Sequence, residues 1–338
     1  MEKELYIITN ESFYYQDKNY YCDNIDLKSI PEGLSKYNET HIIARKSNIS
    51  RSKKVEIKKI KIYNNIFSYL FSLMKSFRNQ KSCYLIISIS PYTFFASLLL
   101  KIFFKRHFIY LRSDGYEEYK SILGFIGPFI YHLMFSIASL NSNLISCRKH
   151  ILRNKKGEIV HPSQLNEKWF KESKDLNFKK IKLLYVGRIR VEKGIYSLLE
   201  IIKDSELELT IVSPEKETRL KSPPKNVTIV NCENYNDSII KFYDENYIFI
   251  LPSFTEAHPQ VLDEALARNR PVVIFNEISH VLRDRNGIFI SNRDIDSLMK
   301  IIQYIENNYE NIKQEMKKNK LPMKENFILE LKKIILKD

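Results

Sequence analysis

The chain has 338 residues, 44% of them hydrophobic and 28% charged, with a formal net charge of +14. That length accommodates two α/β domains of ordinary size. Four scattered cysteines, Cys22, Cys83, Cys147 and Cys232, form no CxxC pair, which argues against a disulfide framework or a structural zinc and for a reducing compartment. The charged start, Met1-Glu2-Lys3-Glu4, leads straight into an apolar run, so no signal peptide is expected.

Short apolar runs alternate with helical patterns, the mark of parallel sheets covered by helices. In the first half the spacing predicts strands at Leu5–Thr9, His41–Ala44, Tyr84–Ile89, Phe108–Arg112 and Asn143–Ser146. Between them lie three stretches that bear on membranes. Arg51–Lys61 is basic with interleaved aliphatics, which fits either an anionic bilayer surface or a strand or loop with a solvated basic face. Tyr92–Phe104 and Ile122–Leu140 are apolar; the second is about long enough to span, but the strand–helix alternation favours helices packed on a sheet. Residues 1–165 hold 25 Lys and Arg against 13 Asp and Glu, whereas residues 166–338 hold 29 against 27. The first half is therefore expected to attract anionic lipid headgroups, a diphosphate-bearing acceptor or nucleic acid.

A domain boundary is expected near Pro162 to Asn177. Beyond it, strands are predicted at Lys182–Val186, Glu208–Val212, Val227–Val230, Tyr247–Leu251 and Pro271–Phe275. Ile195, Leu198, Leu199 and Ile202 recur at helical spacing, so Gly194 opens an amphipathic helix whose N-terminus lies beside Arg188 and Lys193. A last helix is predicted at Glu325–Leu336.

The segment from Pro252 to Val273 is the most informative. The strand breaks at Pro252, and a helix begins near Pro259, whose fixed φ and missing N–H suit a first turn. It stops at Asn269, which tolerates a left-handed cap, before Pro271. Glu256 thus falls on a loop, and Glu264 two turns into a helix, at the carboxyl edge of a strand where open α/β sheets bind ligands. The helix N-terminus offers N–H groups and a positive dipole end to phosphate, and Glu256 can accept bonds from sugar hydroxyls.

Glu256 and Glu264, with seven residues between, after Pro-Ser and before Pro-Val-Val, resemble the paired-glutamate signature of retaining GT-B glycosyltransferases, especially family 4 (glycosyl transferases group 1). Val186-Gly187-Arg188-Ile189-Arg190-Val191-Glu192-Lys193-Gly194 resembles that family's second signature. The resemblance implies an α/β protein of GT-B architecture, two Rossmann-like domains with parallel sheets facing across a cleft. Residues 1–165 would bind the acceptor and residues 166–322 the nucleotide sugar, with a C-terminal helix, 323–338, packing back on the first domain. It implies transfer of a sugar from a UDP- or GDP-linked donor to a saccharide or glycolipid acceptor of cell-surface polysaccharide or lipopolysaccharide, on the cytoplasmic face of a membrane. Arg188 and Lys193 would meet the departing diphosphate, with Gly187 allowing close approach. Glu256 would hold the sugar and Glu264 the ribose, while the loop and helix start, Ala257, His258, Pro259, Gln260 and Val261, would face the donor. Asp114, before Gly115 at a strand end, would contact the sugar from the first domain or else simply form a turn. His258 is expected to cap the helix.

The chain is read as carrying no Asp-x-Asp triplet, so the cations are expected to stand in for a divalent ion, with no metal and no further cofactor. The chain departs from the pattern at Ile8–Ser12 and Ser213-Pro214, where glycine is common, and at Ala257-His258. These departures leave an epimerase or hydrolase of the same fold, or an inactive homologue, as alternatives. Nucleic-acid binding rests on charge alone, with no helix-turn-helix, zinc or stacking motif beside it.

Overall fold

The computed structural model describes residues 4–171, 181–213, 222–232 and 237–337. The chain divides into two units: Met1–Pro162 with Lys324–Asp338, and Ser163–Met323. Pro214 of the Ser213-Pro214 departure and part of the expected linker lie outside the described residues.

In the first unit the strands are β1 (Glu4–Gln16), β2 (Asn19–Cys22), β3 (Glu39–Lys46), β4 (Lys53–Val55), β5 (Lys59–Tyr63), β6 (Cys83–Ile87), β7 (His107–Leu111), β8 (Asn143–Ser146) and β9 (Gly157–Ile159). The helices are α1 (Asp26–Leu34), α2 (Ile66–Lys75), α3 (Pro91–Ile102), α4 (Gly115–Leu123) and α5 (Gly127–Ser139), and the unit also takes in the C-terminal helix. The parallel sheet runs β5-β3-β1-β6-β7-β8-β9. β6 and β7 are buried at every position, as continuous apolar strands covered on both faces must be.

The glycine-free stretch after the first predicted strand has a structural reason. β1 does not end there in a loop; it shifts register between Ile8 and Ser12 and continues into an antiparallel hairpin with β2. The two turn residues, Asp17 and Lys18, both have positive φ, as a tight hairpin of matching twist requires.

The basic run Arg51–Lys61 resolves in favour of the solvated strand. Its aliphatics Val55, Ile57 and Ile60 are buried in the core, and Arg51 and Lys59 pair with Asp23 and Glu39. Those aliphatics cannot reach a bilayer.

The second unit contains β10 (Lys182–Val186), β11 (Glu208–Ser213), β12 (Val227–Asn231), β13 (Ile248–Leu251), β14 (Val272–Phe275) and β15 (Ile288–Ser291). Its helices are α6 (Ile195–Ile202), α7 (Ile240–Glu245), α8 (Gln260–Ala267) and α9 (Ile295–Met316). The sheet order is β12-β11-β10-β13-β14-β15, all parallel. The connections run outward in opposite directions from β10 and β13, so a crevice opens at the carboxyl ends of those two strands.

The last helix, α10 (Lys324–Ile335), belongs to the first unit. Phe327, Ile328, Leu331 and Ile335 join its core, and Ile328 lies so close to Gly33 of α1 that a Cβ there would come within 2.7 Å.

Candidate active site

Both signature loops leave the switch point of the second sheet, and the structure joins them. The loop after β10 turns through a 3₁₀ segment, Val191–Lys193, to Gly194, which has φ of +67° and opens α6. The loop after β13 carries Pro252 to Glu256. The Phe254 N–H donates to the Glu192 carbonyl at 3.0 Å. A Cβ on Gly194 would come within 1.8 Å of the Pro252 carbonyl oxygen, so glycine is required both by backbone conformation and by the close approach.

At this junction Lys193 Nζ donates to Glu256 Oε1 at 2.7 Å, and Ser253 Oγ donates to the same oxygen at 2.7 Å. Among the described residues, both bonds fall on Oε1, leaving Oε2 to accept from another donor. His280 Nε2 lies 2.8 Å from the Glu256 carbonyl, which fixes the loop from the far side. Arg293 supports it from below. Its guanidinium donates to the Pro252 carbonyl at 2.7 Å, pairs with Glu277 and stacks over Phe254 and Phe275. Ser253, His280 and Arg293 are supporting residues that motif reading misses. Ser253 stands inside the signature, but Arg293 follows β15, and no spacing rule connects it to Glu256.

Arg188 is exposed at the end of β10 and enters no ion pair among the described residues; its carbonyl accepts from the Tyr185 hydroxyl at 2.8 Å. Gly187 precedes it, and its N–H bonds the Val212 carbonyl, so the sheet ladder continues to the edge of the site. Cations beside the crevice and a free helix end fit a multiply charged anion.

Glu264 sits in α8 and is buried, at 6% exposure. Tyr243 of α7 donates its hydroxyl to Glu264 Oε2 at 2.7 Å. Burial pushes the Glu264 carboxyl up to about 7, which the tyrosine bond only partly offsets. The helix itself begins as expected: Pro259 is the N-cap in extended backbone, Gln260 and Val261 open the first turn, and Asn269 adopts a φ of +55° just past the end. Pro259 supplies no side-chain cap. The His258 ring turns towards Asp263, with Nε2 3.7 Å from Oδ2, while Nδ1 faces Arg283. Ala257 stands half-buried beside Glu256.

Asp114, in the first unit, is the N-cap of α4. It accepts from the Tyr116 N–H at 3.0 Å and from Arg153 Nη2 at 2.9 Å. Gly115 after it is needed because a Cβ would fall 2.1 Å from the Tyr131 ring.

One Asp-x-Asp triplet does occur, Asp294-Ile295-Asp296, outside both signatures, and it corrects the weight given to the lack of one. Asp294 caps α9, accepting from the Ser297 N–H at 2.7 Å and its hydroxyl at 2.9 Å. That carboxylate is committed to the helix end.

Residues 166–322 match the family model for glycosyl transferases group 1. That match falls within the second unit. An uncharacterized glycosyltransferase of Haemophilus influenzae is 30% identical over 161 residues, which cover 44% of this chain and 45% of that protein. The matched segment thus spans less than half the length of that relative. Among solved structures, WaaG, a glycosyltransferase involved in lipopolysaccharide biosynthesis, superimposes with a TM-score of 0.66 at 12% identity, covering 98% of this chain and 100% of its own. Anabaena HepE in complex with UDP-glucose gives a TM-score of 0.64 at 9% identity, with coverage of 98% and 95%. These likenesses show the fold, a GT-B pair of Rossmann-like domains.

Proposed function

We propose that this chain transfers a hexose from a nucleoside diphosphate sugar, UDP-linked rather than GDP-linked, to a saccharide or lipid-linked saccharide of the cell surface, with retention and without a metal. The observation that carries this reading is the junction of the two signature loops at the switch point of the second sheet, where Lys193, Glu256 and the start of α8 meet. The comparison with HepE, bound to UDP-glucose, supports the choice of base and sugar, and that with WaaG supports a lipopolysaccharide-type acceptor.

The chemistry follows from where charge develops. As the bond from the anomeric carbon to the β-phosphate oxygen breaks, the diphosphate gains negative charge. Arg188 and Lys193 are the fixed cations placed to receive it. In the free protein Lys193 is held by Glu256. A diphosphate would draw the ammonium towards itself, and Glu256, still held by Ser253, would turn its carboxylate to the sugar hydroxyls. Glu264 would accept from or donate to a ribose hydroxyl in a site shielded from water.

Titration with UDP-glucose in the presence of EDTA tests the proposal. Binding that UDP competes away is expected. Binding that appears only when Mn²⁺ is added contradicts metal independence, and failure of every nucleotide to bind contradicts the reading as a whole.

A further inference from the structure

The first unit exposes an apolar face that the transfer chemistry does not use. α2, α3 and the α4–α5 pair each connect one parallel strand to the next on the side moving from β5 towards β8, opposite the side that α1 and α10 cover. Their inner positions, such as Tyr69, Leu73, Leu100 and Phe135, are buried. Their outer positions are also large and apolar. Phe67 is 82% exposed, Phe104 96%, Phe125 89% and Phe129 74%, with Phe71 and Ile102 between them. The expectation that Ile122–Leu140 packs away as a core helix therefore holds for its inner side only.

Residues 115–139 contain an 18-residue window whose mean hydropathy, 1.6, would suit a helix that crosses a bilayer. They do not form one. Gly124 turns the chain with φ of +64°, and Tyr116 folds back to bond His132 at 2.9 Å and pack on Tyr131. Alone, the thirteen residues of α5 reach about 20 Å, short of the roughly 30 Å hydrocarbon core. The pair can lie on a membrane but not span it. Its turn, Ile122 to Ile126, is exposed throughout.

The charge around this face is mostly positive, although Glu117 of α4 lines the same cavity as Lys120 and Phe125. No acidic residue occurs between Glu56 and Asp114, or between Glu118 and Glu158, and residues 66–156 hold 13 Lys and Arg against 3 Asp and Glu. The cations sit beside the rings: Lys75 lies over Phe71 at 4.6 Å, Lys105 and Arg106 follow Phe104, and Lys120 lines a cavity of about 600 Å³ with Phe125. A second copy of the chain would bring the same positive field against this one and be repelled. An anionic surface with an apolar interior complements it in both respects.

We infer that this face of the first unit docks on an anionic lipid bilayer, with Phe125 and Phe129 entering the interface and the flanking lysines and arginines resting on the headgroups. This goes beyond the transfer reading and is tested without donor or acceptor.

The test is flotation of the full chain with phosphatidylcholine vesicles containing about a quarter phosphatidylglycerol, at about 0.1 M and about 0.5 M salt. The chain should float with these vesicles and less with pure phosphatidylcholine, and salt should weaken binding without abolishing it. Phe125→Asp with Phe129→Asp should cut partitioning at least about a hundredfold, since each ring is worth at least about tenfold, while the melting temperature stays unchanged. Phe125→Trp supplies a second readout besides the buried Trp169, its emission moving to the blue on vesicles and quenched by brominated lipid. Equal flotation of the double Asp variant, an emission spectrum of Phe125→Trp that vesicles leave unshifted, or release by salt alone would overturn the inference. So would a solution dimer that the same Asp substitutions dissolve. Failure of UDP-glucose to bind would count against the transfer reading and leave this result standing.

Discussion

At the scale of single residues, two carboxylates of one signature have different surroundings. Glu256 lies on a loop, ion-paired with Lys193 and held by Ser253, whereas Glu264 is enclosed in a helix with Tyr243 as its partner. Glu256→Ala should therefore lower turnover with UDP-glucose by about 10²–10³, the cost of one preorganised contact, and leave affinity for free UDP nearly intact. Glu264→Gln should weaken UDP and affect the chemical step less. Kinetics paired with UDP titrations separate the two, and the opposite pattern would reverse the assignments. The buried carboxyl also predicts a pH effect. Its folded value is raised to about 7 from an ordinary 4.5, so the folded state holds the proton more tightly. That contribution to stability is complete below about 4.5 and is gone once pH passes about 7. Between pH 5 and 8 the melting temperature of the native chain should fall relative to that of Glu264→Gln, and parallel pH profiles would show that Glu264 does not titrate in this range. The resemblance to the paired-glutamate signature singled out both glutamates, but not their difference in burial, because a motif says nothing about what a neighbouring element lays over a helix. Tyr243, the residue that encloses Glu264, lies 21 positions away on α7.

At the scale of elements, the site depends on how closely the turn before α6 approaches the loop after β13. Gly194 is the point of contact. Gly194→Ala combines a left-handed backbone with a collision against the Pro252 carbonyl, and should cost at least about 2 kcal/mol and weaken UDP together with stability. A urea midpoint equal to that of the native chain would show that the two loops are not packed as described. The ten strands expected from apolar runs all form, nine of them within two residues at each end, because continuous burial in a parallel sheet demands such runs. Of the other five, β4 and much of β5 fall in the basic run Arg51–Lys61, for which a strand is one reading, and β2, β9 and β15 went unpredicted; β9 is exposed at all three positions. The extension of β1 past Ile8 was equally hidden, since a strand that shifts register carries no uniform period. The apolar helices α3 and α5 were read as core, and half of each is; hydropathy reports composition and not which side of a helix finds a partner.

At the scale of the whole molecule, charge and motifs divide along the chain. The first unit carries nearly all of the excess positive charge and the apolar face, and the second carries both signature loops on one topological switch point. That division was visible in the charge of the two halves and in the order of the motifs. The return of α10 to the first unit was implied by the family resemblance; its apolar stripe, Phe327, Ile328 and Leu331, says only that the helix needs a core to enter. The central claim is that the second unit binds a nucleotide-sugar donor through Lys193 and its neighbours. Calorimetric titration of UDP-glucose into the native chain and into Lys193→Ala, both in EDTA, tests it most directly. The account predicts metal-free binding to the native chain, displaced by UDP and weakened at least about tenfold in the variant, the scale of one charge-assisted contact. Equal affinity of the two proteins, or no heat with any nucleotide, would contradict it.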